Sequence, residues 1–217
     1  MPAAPVRIVA VPGLGLDGRS WAGVLARLPA SVPATVLTLP GMGRAEPVPE
    51  LASLAGEVVC RLGEGPVVLV GHSQSCQVVA AVAERDPRVV ALVLLGPTTD
   101  PRLRRPGGLV GAWVRTAVRE PVRQVPRIVA QWLRTGPRAM RALWRRAAPD
   151  RLELRLPQVA VPVIVVRGDR DALCSAEFAA GLATAATRGR LVELPGAAHM
   201  TPQTHPDEVV AVLREAG

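Results

Sequence analysis

The chain has 217 residues, 49% of them hydrophobic, and a formal net charge of +8 at pH 7. This length suits one domain with one substantial core, and the lack of an apolar run of about 18 residues argues against a membrane-spanning helix. The three cysteines, Cys60, Cys76 and Cys174, do not suit a disulfide framework, so we expect reduced thiols in a cytoplasmic protein.

Short β-branched runs alternate with segments of helical spacing along most of the chain. In chain order, strands are predicted at residues 7–11, 34–39, 66–70, 89–95, 161–166 and 191–194. Helices are predicted at residues 20–28, 51–62, 74–84, 176–186 and 207–215. The strands are apolar without alternation, as expected when helices cover both faces of a parallel sheet. The pattern therefore predicts a doubly wound α/β fold with a mostly parallel, six-stranded sheet.

Residues 100–155 differ from the rest of the chain. They contain 14 arginines against four acidic residues (Asp100, Glu120, Asp150 and Glu153), a net charge of +10, whereas the remainder has a net charge of −2. Prolines at positions 106, 121, 126, 137 and 149 interrupt the segment, and no strand pattern is present. We expect two or three helices inserted between two strands, forming a lid within a single domain that spans residues 1–217. Its tryptophans, Trp113, Trp132 and Trp144, would line a substrate pocket or anchor these helices to the core.

The arginine-rich segment leaves three interpretations open. Its charge belongs to solvated helix faces in an arginine-biased protein, it steers an anionic substrate or acyl carrier, or it binds nucleic acid. No nucleic-acid-binding motif or stacking platform accompanies the charge. We therefore expect a small-molecule substrate, anionic or carrier-bound under the second interpretation, and no nucleic-acid or membrane partner. The sequence does not indicate the oligomeric state.

The pentapeptide Gly71-His72-Ser73-Gln74-Ser75 stands between a predicted strand and a predicted helix. A nucleophile on a sharp strand-to-helix turn needs small residues two positions before and after it, because larger side chains would collide there. Gly71 meets this need, and Ser75 stands where the common G-x-S-x-G pattern has glycine. The turn would lift the Ser73 hydroxyl towards the amides of the next helix. Ser73 is therefore the candidate nucleophile, and an ordinary Gly-Ser turn is the alternative.

Residues 13–18, Gly-Leu-Gly-Leu-Asp-Gly, also fit the dinucleotide-binding pattern G-x-G-x-x-G after a strand. Such a site needs an acidic residue about 20 positions further on, at the end of the second strand. Here that strand runs into Thr38-Leu39-Pro40-Gly41, which contains no acid. A dinucleotide site would also leave Ser73 unexplained, so we favour the nucleophile.

With these motifs, the chain resembles the α/β-hydrolase family from Val6 to Glu215. The resemblance places an oxyanion-hole turn at residues 12–17, Pro-Gly-Leu-Gly-Leu-Asp, and implies that the backbone N–H groups of Leu14 and Gln74 form the hole. Each such donor typically contributes roughly 3–4 kcal/mol in the transition state. The segment Leu-Pro-Gly-Met-Gly-Arg at residues 39–44 resembles the family's Pro-Gly-x-Gly turn, for which we expect a structural role.

The resemblance also implies an acid three residues after the glycine that follows a late strand. Gly168 follows the strand predicted at residues 161–166, so the pattern selects Asp171. Asp169 would then be a turn-former beside that glycine. Asp100 is a second alternative, since some members of the family place the acid after the strand that here spans residues 89–95.

Three histidines are present, and the resemblance selects His199 as the general base, because it lies in the Gly-rich loop after the last strand. This gives the chain order Ser, Asp, His. Imidazole titrates near neutral pH and can take the serine proton, while a carboxylate fixes its tautomer. His72 is expected to pack or hydrogen-bond, and His205 to be solvated. Cys76 is expected to be a small buried hydrophobic residue rather than a second nucleophile.

The resemblance thus implies a serine hydrolase that transfers an acyl group to water through Ser73, His199 and Asp171. Esters, thioesters and lactones all fit, and the largely aliphatic lid favours a small apolar substrate. No metal or organic cofactor is implied. The same fold hosts lyases, cyclases and cofactor-free oxygenases, which would use His199 with Asp171 as a base. A non-catalytic ligand-binding protein is a further alternative.

Overall fold

The computed structural model describes residues 5–103 and 106–217. Its strands are β1 (Arg7–Val11), β2 (Ala34–Val36), β3 (Leu39–Pro40), β4 (Gly43–Arg44), β5 (Val67–His72), β6 (Val89–Leu95), β7 (Val163–Gly168) and β8 (Gly189–Leu194). Its α-helices are α1 (Ala22–Leu25), α2 (Leu51–Arg61), α3 (Cys76–Ala83), α4 (Pro106–Ala117), α5 (Val125–Thr135), α6 (Pro137–Ala147), α7 (Leu152–Arg155), α8 (Ala176–Ala185), α9 (Thr201–Thr204) and α10 (Pro206–Ala216).

Six strands form one sheet in the order β2-β1-β5-β6-β7-β8, and every neighbouring pair is parallel. The prediction of a doubly wound α/β fold with a six-stranded sheet is therefore confirmed. Strands β3 and β4 form a separate two-stranded pair. No helix within residues 5–103 or 106–217 is both long and apolar enough to cross a bilayer.

The sheet has a hydrophobic core on each face, which explains why its strands lack alternation. Along β5, Val67 and Leu69 pack into one core, and Val68 and Val70 pack into the other. Helices α2, α3 and α8 contribute to the first core, and α10 contributes to the second. Both strand faces are dry, so apolar residues are favoured at consecutive positions.

Two predicted elements differ from the structure by more than a shift of one or two residues at their ends. The second strand ends at Val36 rather than at residue 39, because the chain turns there into the β3–β4 pair. The helix predicted at residues 20–28 is a 3₁₀ turn, Gly18–Trp21, followed by the single turn of α1. Helix α9 was not predicted, and its four residues are too short to show helical periodicity.

Helices α4, α5, α6 and α7 lie between β6 and β7, and no strand occurs among the described residues of 100–155. We call α4, α5 and α6 with their connections the lid helices. Their buried faces carry small, aliphatic and polar residues, with Glu120 as a buried acid among them, whereas most of their arginines are exposed. This distribution gives the segment its mixed composition.

Candidate active site

The parallel sheet brings the candidate residues to one edge, because every strand ends on the same side. Strand β1 ends at Val11, just before the Gly-rich turn, and β5 ends at His72, just before Ser73. Strand β7 ends at Gly168, three residues before Asp171. Strand β8 ends at Leu194, five residues before His199.

Ser73 has the backbone conformation of a sharp strand-to-helix turn. Its φ is +56°, and among the described residues no other non-glycine residue has a positive φ. Gly71 is required because a Cβ there would lie 2.5 Å from Cγ2 of Val79 and 3.0 Å from Cα of Cys76. Tight packing of the turn onto α3, which starts at Cys76, stabilises this strained conformation.

Ser75 gives the departure from G-x-S-x-G a physical reason. Its buried hydroxyl donates to the carbonyl of Val11 at 2.8 Å and accepts from the backbone N–H of His72 at 2.8 Å. One side chain therefore ties the turn that carries Ser73 to the end of β1, from which the Gly-rich turn leaves. Glycine at this position could make neither hydrogen bond.

Ser73, His199 and Asp171 form one hydrogen-bonded chain. Nε2 of His199 lies 2.8 Å from Oγ of Ser73, and Nδ1 of His199 lies 2.7 Å from Oδ2 of Asp171. The other carboxylate oxygen of Asp171 accepts the backbone N–H groups of Leu173 and Cys174. With the proton of the neutral imidazole on Nδ1, Nε2 is free to accept from the serine hydroxyl.

The mutual attraction of His199 and Asp171 outweighs the effect of burial on their pKa values. Burial disfavours the imidazolium of His199, but the carboxylate of Asp171 and, more weakly, that of Glu120 outweigh it and raise the pKa of His199. Burial also disfavours the carboxylate of Asp171, yet His199 and two backbone N–H groups lower the pKa of Asp171 below its usual value. The arrangement therefore stabilises an imidazolium next to an ionised aspartate.

His72 is buried behind this chain. Its Nε2–H donates to the backbone carbonyl of His199 at 3.0 Å, and the two imidazole rings lie 5.2 Å apart between centroids. Burial and the neighbouring His199 lower the pKa of His72 to about 3. His72 is therefore neutral at physiological pH and acts as a hydrogen-bond donor to the loop that carries His199.

The two alternative acids and the third histidine lie elsewhere. Asp169 accepts the N–H of Gly196 at 2.9 Å, as a turn-former would. Asp100 is buried but accepts from Ser175 at 2.6 Å and pairs with Arg102. His205 lies within hydrogen-bond distance of its neighbour Thr204, outside the hydrogen-bonded chain of Ser73, His199 and Asp171. The structure thus brings Asp171, rather than either alternative acid, to His199.

Neither buried thiol has the surroundings of a nucleophile. Cys76 and Cys174 are fully buried and free, and burial raises the pKa of each well above its usual value. Within residues 5–103 and 106–217, no group of three or more His, Cys, Asp or Glu side chains is placed to share a metal ion.

The Gly-rich turn after β1 faces Ser73. Leu14 and Gln74 line the same cavity as Ser73, and none of the hydrogen bonds found in the described parts of the chain is donated by the N–H of Leu14. Gln74 lies in the first turn of a helical segment, where N–H groups lack an intrahelical acceptor. The turn is held by Gly41, whose carbonyl accepts the N–H of Gly15 at 2.8 Å.

The loop that carries His199 rests directly on the end of β7. A Cβ added to Gly168 would lie 2.2 Å from the carbonyl oxygen of Ala197 and 2.3 Å from that of Ala198. Only a residue without a side chain permits this approach, and the approach sets the distance between the loop and the strand that leads to Asp171.

Hydrogen bonds join the lid helices to two loops of this site. Gln131 accepts the N–H of Asp17 at 2.9 Å, and Thr135 donates to the carbonyl of Gly15 at 2.9 Å. Thr116 accepts the N–H of Ala172 at 3.1 Å, next to Asp171. These contacts join the lid helices to the Gly-rich turn and to the loop of the candidate acid.

A cavity of about 490 Å³ opens over Ser73 between these loops and the lid helices. Its walls are mainly apolar and include all three lid tryptophans, namely Trp113, Trp132 and Trp144, together with Leu14, Leu16, Leu103, Met140 and Leu173. Arg141 is the charged side chain among the residues that line it. The tryptophans therefore line the pocket, one of the two roles that the sequence left open.

Glu120 is a site residue that the sequence analysis counted only as one of four acids. It is 9% exposed, and its Oε1 accepts the N–H of Met200, next to His199, at 2.7 Å. Burial raises the pKa of Glu120. The sequence holds a weak signal, since Thr116, Glu120 and Gln124 recur every four residues in an arginine-rich segment and all three are buried.

Comparisons with known proteins match nearly the whole length of the chain. The family model described as "Alpha/beta hydrolase family" matches residues 8–212. The sequence is 29% identical over 252 residues to Lipase LipV of Mycobacterium tuberculosis (strain ATCC 25618 / H37Rv), covering 98% of this chain and 94% of LipV.

Solved structures share the fold at low sequence identity. A hydrolase from Oleispira antarctica superposes with a TM-score of 0.79 at 14% identity, covering 98% of this chain and 90% of that chain. A thermophilic esterase from Thermogutta terrifontis superposes with a TM-score of 0.67 at 22% identity, covering 98% of this chain and 89% of that chain.

Proposed function

The chain belongs to the alpha/beta hydrolase family, and from that premise we propose that it hydrolyses esters, thioesters or lactones of small, largely apolar acids through an acyl-enzyme on Ser73. The observation that carries the proposal is the hydrogen-bonded chain from Oγ of Ser73 through His199 to Asp171. The name of LipV, a lipase, supports ester hydrolysis. The apolar cavity over Ser73 supports an apolar acyl group.

The first half of the reaction forms the acyl-enzyme. Oγ of Ser73 attacks the carbonyl carbon while its proton passes to Nε2 of His199, and the carbonyl electron pair moves onto oxygen. The N–H groups of Leu14 and Gln74 donate to this oxyanion, and Asp171 stabilises the imidazolium. When the tetrahedral intermediate collapses, the bond to the leaving alcohol breaks and His199 returns the proton to the alcohol oxygen.

The second half of the reaction releases the acid. Water gives a proton to Nε2 of His199 and attacks the acyl carbon, so that a second tetrahedral intermediate forms. Its collapse breaks the bond to Oγ, and the proton on His199 restores the serine hydroxyl. No redox step or co-reactant other than water is needed.

A fluorophosphonate probe tests the nucleophile. We expect covalent labelling of the wild-type chain and none of Ser73→Ala, while Ser53→Ala, which alters an exposed serine on α2, should label as the wild type does. A panel of 4-nitrophenyl esters, thioesters and lactones with acyl chains of increasing length then identifies the substrate class. If the wild-type protein neither reacts with the probe nor hydrolyses any member of the panel, the proposal is wrong.

A further inference from the structure

A second, smaller cavity of about 110 Å³ lies beside His199, between α4, α5 and the loop after β8. It shares Trp113, Trp132 and His199 with the larger cavity, but Ser73 and the residues of the proposed oxyanion hole do not line it. We call it the Glu120 cavity, because Glu120 is the carboxylic acid in its wall.

The proposed chemistry of His199 indicates which part of the substrate the Glu120 cavity would hold. In the proposed reaction the leaving alcohol takes its proton from Nε2 of His199, so the alcohol must lie beside that ring. The acyl group lies near the oxyanion donors, which line only the larger cavity. The Glu120 cavity is therefore placed on the side of the leaving alcohol.

Glu120 is only half satisfied by the protein. Its Oε1 accepts the N–H of Met200, but Oε2 is buried and has no hydrogen-bond partner among the described residues. A buried carboxylate oxygen without a donor is unfavourable, because nothing replaces the hydrogen bonds that it makes to water in the unfolded chain. The wall around it is mostly apolar, with Val125, Ile128 and Val129 from α5, and the other backbone N–H group that interacts with the carboxylate is that of His199.

A second unpartnered group in the wall indicates the kind of ligand. Trp132 lines both cavities, and its Nε1–H is buried and also lacks a partner among the described residues. A hydroxyl group can donate to Glu120 and accept from Trp132, whereas a primary ammonium group can only donate and a quaternary ammonium group can do neither. The arginines exposed on α4 and α5 also disfavour a cation at this place.

We propose that the Glu120 cavity selects esters whose leaving alcohol carries a second hydroxyl group, which donates to Oε2 of Glu120. This inference rests on the proposed hydrolase function. At about 30 Å³ for each water-sized group, 110 Å³ holds about four non-hydrogen atoms, which suits the alcohol half of a short diol or triol ester.

Three esters of butanoic acid test the selectivity. Propyl butanoate and 2-hydroxyethyl butanoate differ by a methyl group in place of the hydroxyl, and the choline ester replaces the hydroxyl by a quaternary ammonium group. For the wild-type protein we expect kcat/KM for the 2-hydroxyethyl ester to exceed that for the propyl ester by about tenfold or more. The choline ester should be no better than the propyl ester.

Two variants assign the selectivity to Glu120. Glu120→Gln keeps an acceptor for the N–H of Met200 but replaces Oε2 by an amide NH₂ group, so the preference should fall severalfold. Glu120→Leu removes both oxygens, and the two esters should then react equally. Because the readout is a ratio measured on one enzyme preparation, a general loss of activity cancels. Glu177→Gln, on an exposed side chain of α8, is the matched control and should keep the wild-type ratio.

The outcomes separate this inference from the proposed function. Equal rates for the propyl and 2-hydroxyethyl esters in the wild-type protein would overturn the inference and leave the hydrolase intact. A preference for the 2-hydroxyethyl ester that survives in both Glu120 variants would also overturn it. A preference for the choline ester would overturn it too, and would indicate that the cavity selects a cationic group instead of a hydroxyl group. If no ester is hydrolysed and the fluorophosphonate probe does not react, the proposed function fails, and the inference fails with it.

Discussion

His72 donates from Nε2 to the backbone carbonyl of His199 at 3.0 Å, so the residue next to the candidate nucleophile holds the loop of the candidate base. These two histidines are 127 residues apart in sequence and differ in charge behaviour. His72 has a pKa of about 3, while the pKa of His199 is raised. One imidazole therefore serves as a fixed donor and the other as the group that gains and loses a proton.

Replacement of His72 by leucine should weaken both stability and turnover. It leaves the carbonyl of His199 without its donor, which is expected to lower the free energy of unfolding by about 1–3 kcal/mol. Urea denaturation measures that loss, and kcat should fall with it as the loop loosens. His72→Gln places an amide N–H near the position of Nε2 and should recover much of both. Equal behaviour of the two variants would show that His72 acts by packing alone.

Replacement of Asp171 by asparagine should lower kcat by about 10⁴-fold, because the carboxylate that fixes the His199 tautomer and stabilises the imidazolium is lost. Asp169→Asn is the matched control, since the Asp169 carboxylate accepts the N–H of Gly196 and an amide oxygen can do the same. Steady-state kinetics on one chromogenic ester compares the two. A larger loss in the Asp169 variant would contradict the assignment of the acid.

The pH dependence of kcat/KM should follow the neutral form of His199. Activity should rise with pH through a midpoint above the ordinary imidazole value of 6.5, because Asp171 and Glu120 favour the imidazolium. His72 stays neutral over this range and adds no charge. Glu120→Gln removes one negative charge, which disfavours the imidazolium, so the midpoint should move to lower pH. A midpoint that moves upward would contradict this account of the electrostatics.

Replacement of Ser75 by glycine should destabilise the protein, although it restores the common G-x-S-x-G pattern. The carbonyl of Val11 and the N–H of His72 would each lose a buried partner. A loss of about 1–3 kcal/mol in the free energy of unfolding is expected from unpaired buried groups, measured by urea denaturation. Ser75→Ala should show a similar loss, since it too lacks the hydroxyl. An unchanged or raised stability in the glycine variant would show that the hydroxyl contributes little.

Arg141 at the wall of the larger cavity should favour an acyl group that ends in a carboxylate. Replacing Arg141 by glutamine should lower kcat/KM for 4-nitrophenyl hemisuccinate by about two- to fivefold, the range expected for an exposed ion pair. The neutral 4-nitrophenyl butanoate should respond little. Arg138→Gln, an exposed neighbour on α6 that does not line the cavity, is the control. Added salt should reduce the hemisuccinate rate in the wild-type protein as well.

Sequence patterns predicted the sheet because its signals are local. Each central strand is an unbroken apolar run, and the ends of these runs place Ser73, Asp171 and His199 at one edge. The early end of the second strand at Val36 could not be predicted in this way, because it depends on the β3–β4 pair. Catalysis by the three residues remains a prediction, whereas their hydrogen-bonded geometry is a property of the structure.

The lid contacts lay beyond sequence reasoning for a different reason. Thr116, Gln131 and Thr135 bond to loops that are at least 56 residues away, so nothing in the local sequence identifies their partners. Glu120 was likewise visible only as an acid among arginines, and its contact with Met200 spans 80 residues. Such pairings arise from tertiary packing, which a single sequence does not encode in any periodic signal.

Gly168 has a consequence for engineering this protein. Because the carbonyl oxygens of Ala197 and Ala198 rest against the backbone of Gly168, main-chain contact fixes the distance between β7 and the loop of His199, in addition to the side-chain hydrogen bonds of that loop. A mutant library can therefore vary the walls of both cavities while leaving that contact unaltered. Even a single methyl group at residue 168 would push the loop that carries His199 away from β7, and every member of such a library would then have a displaced His199.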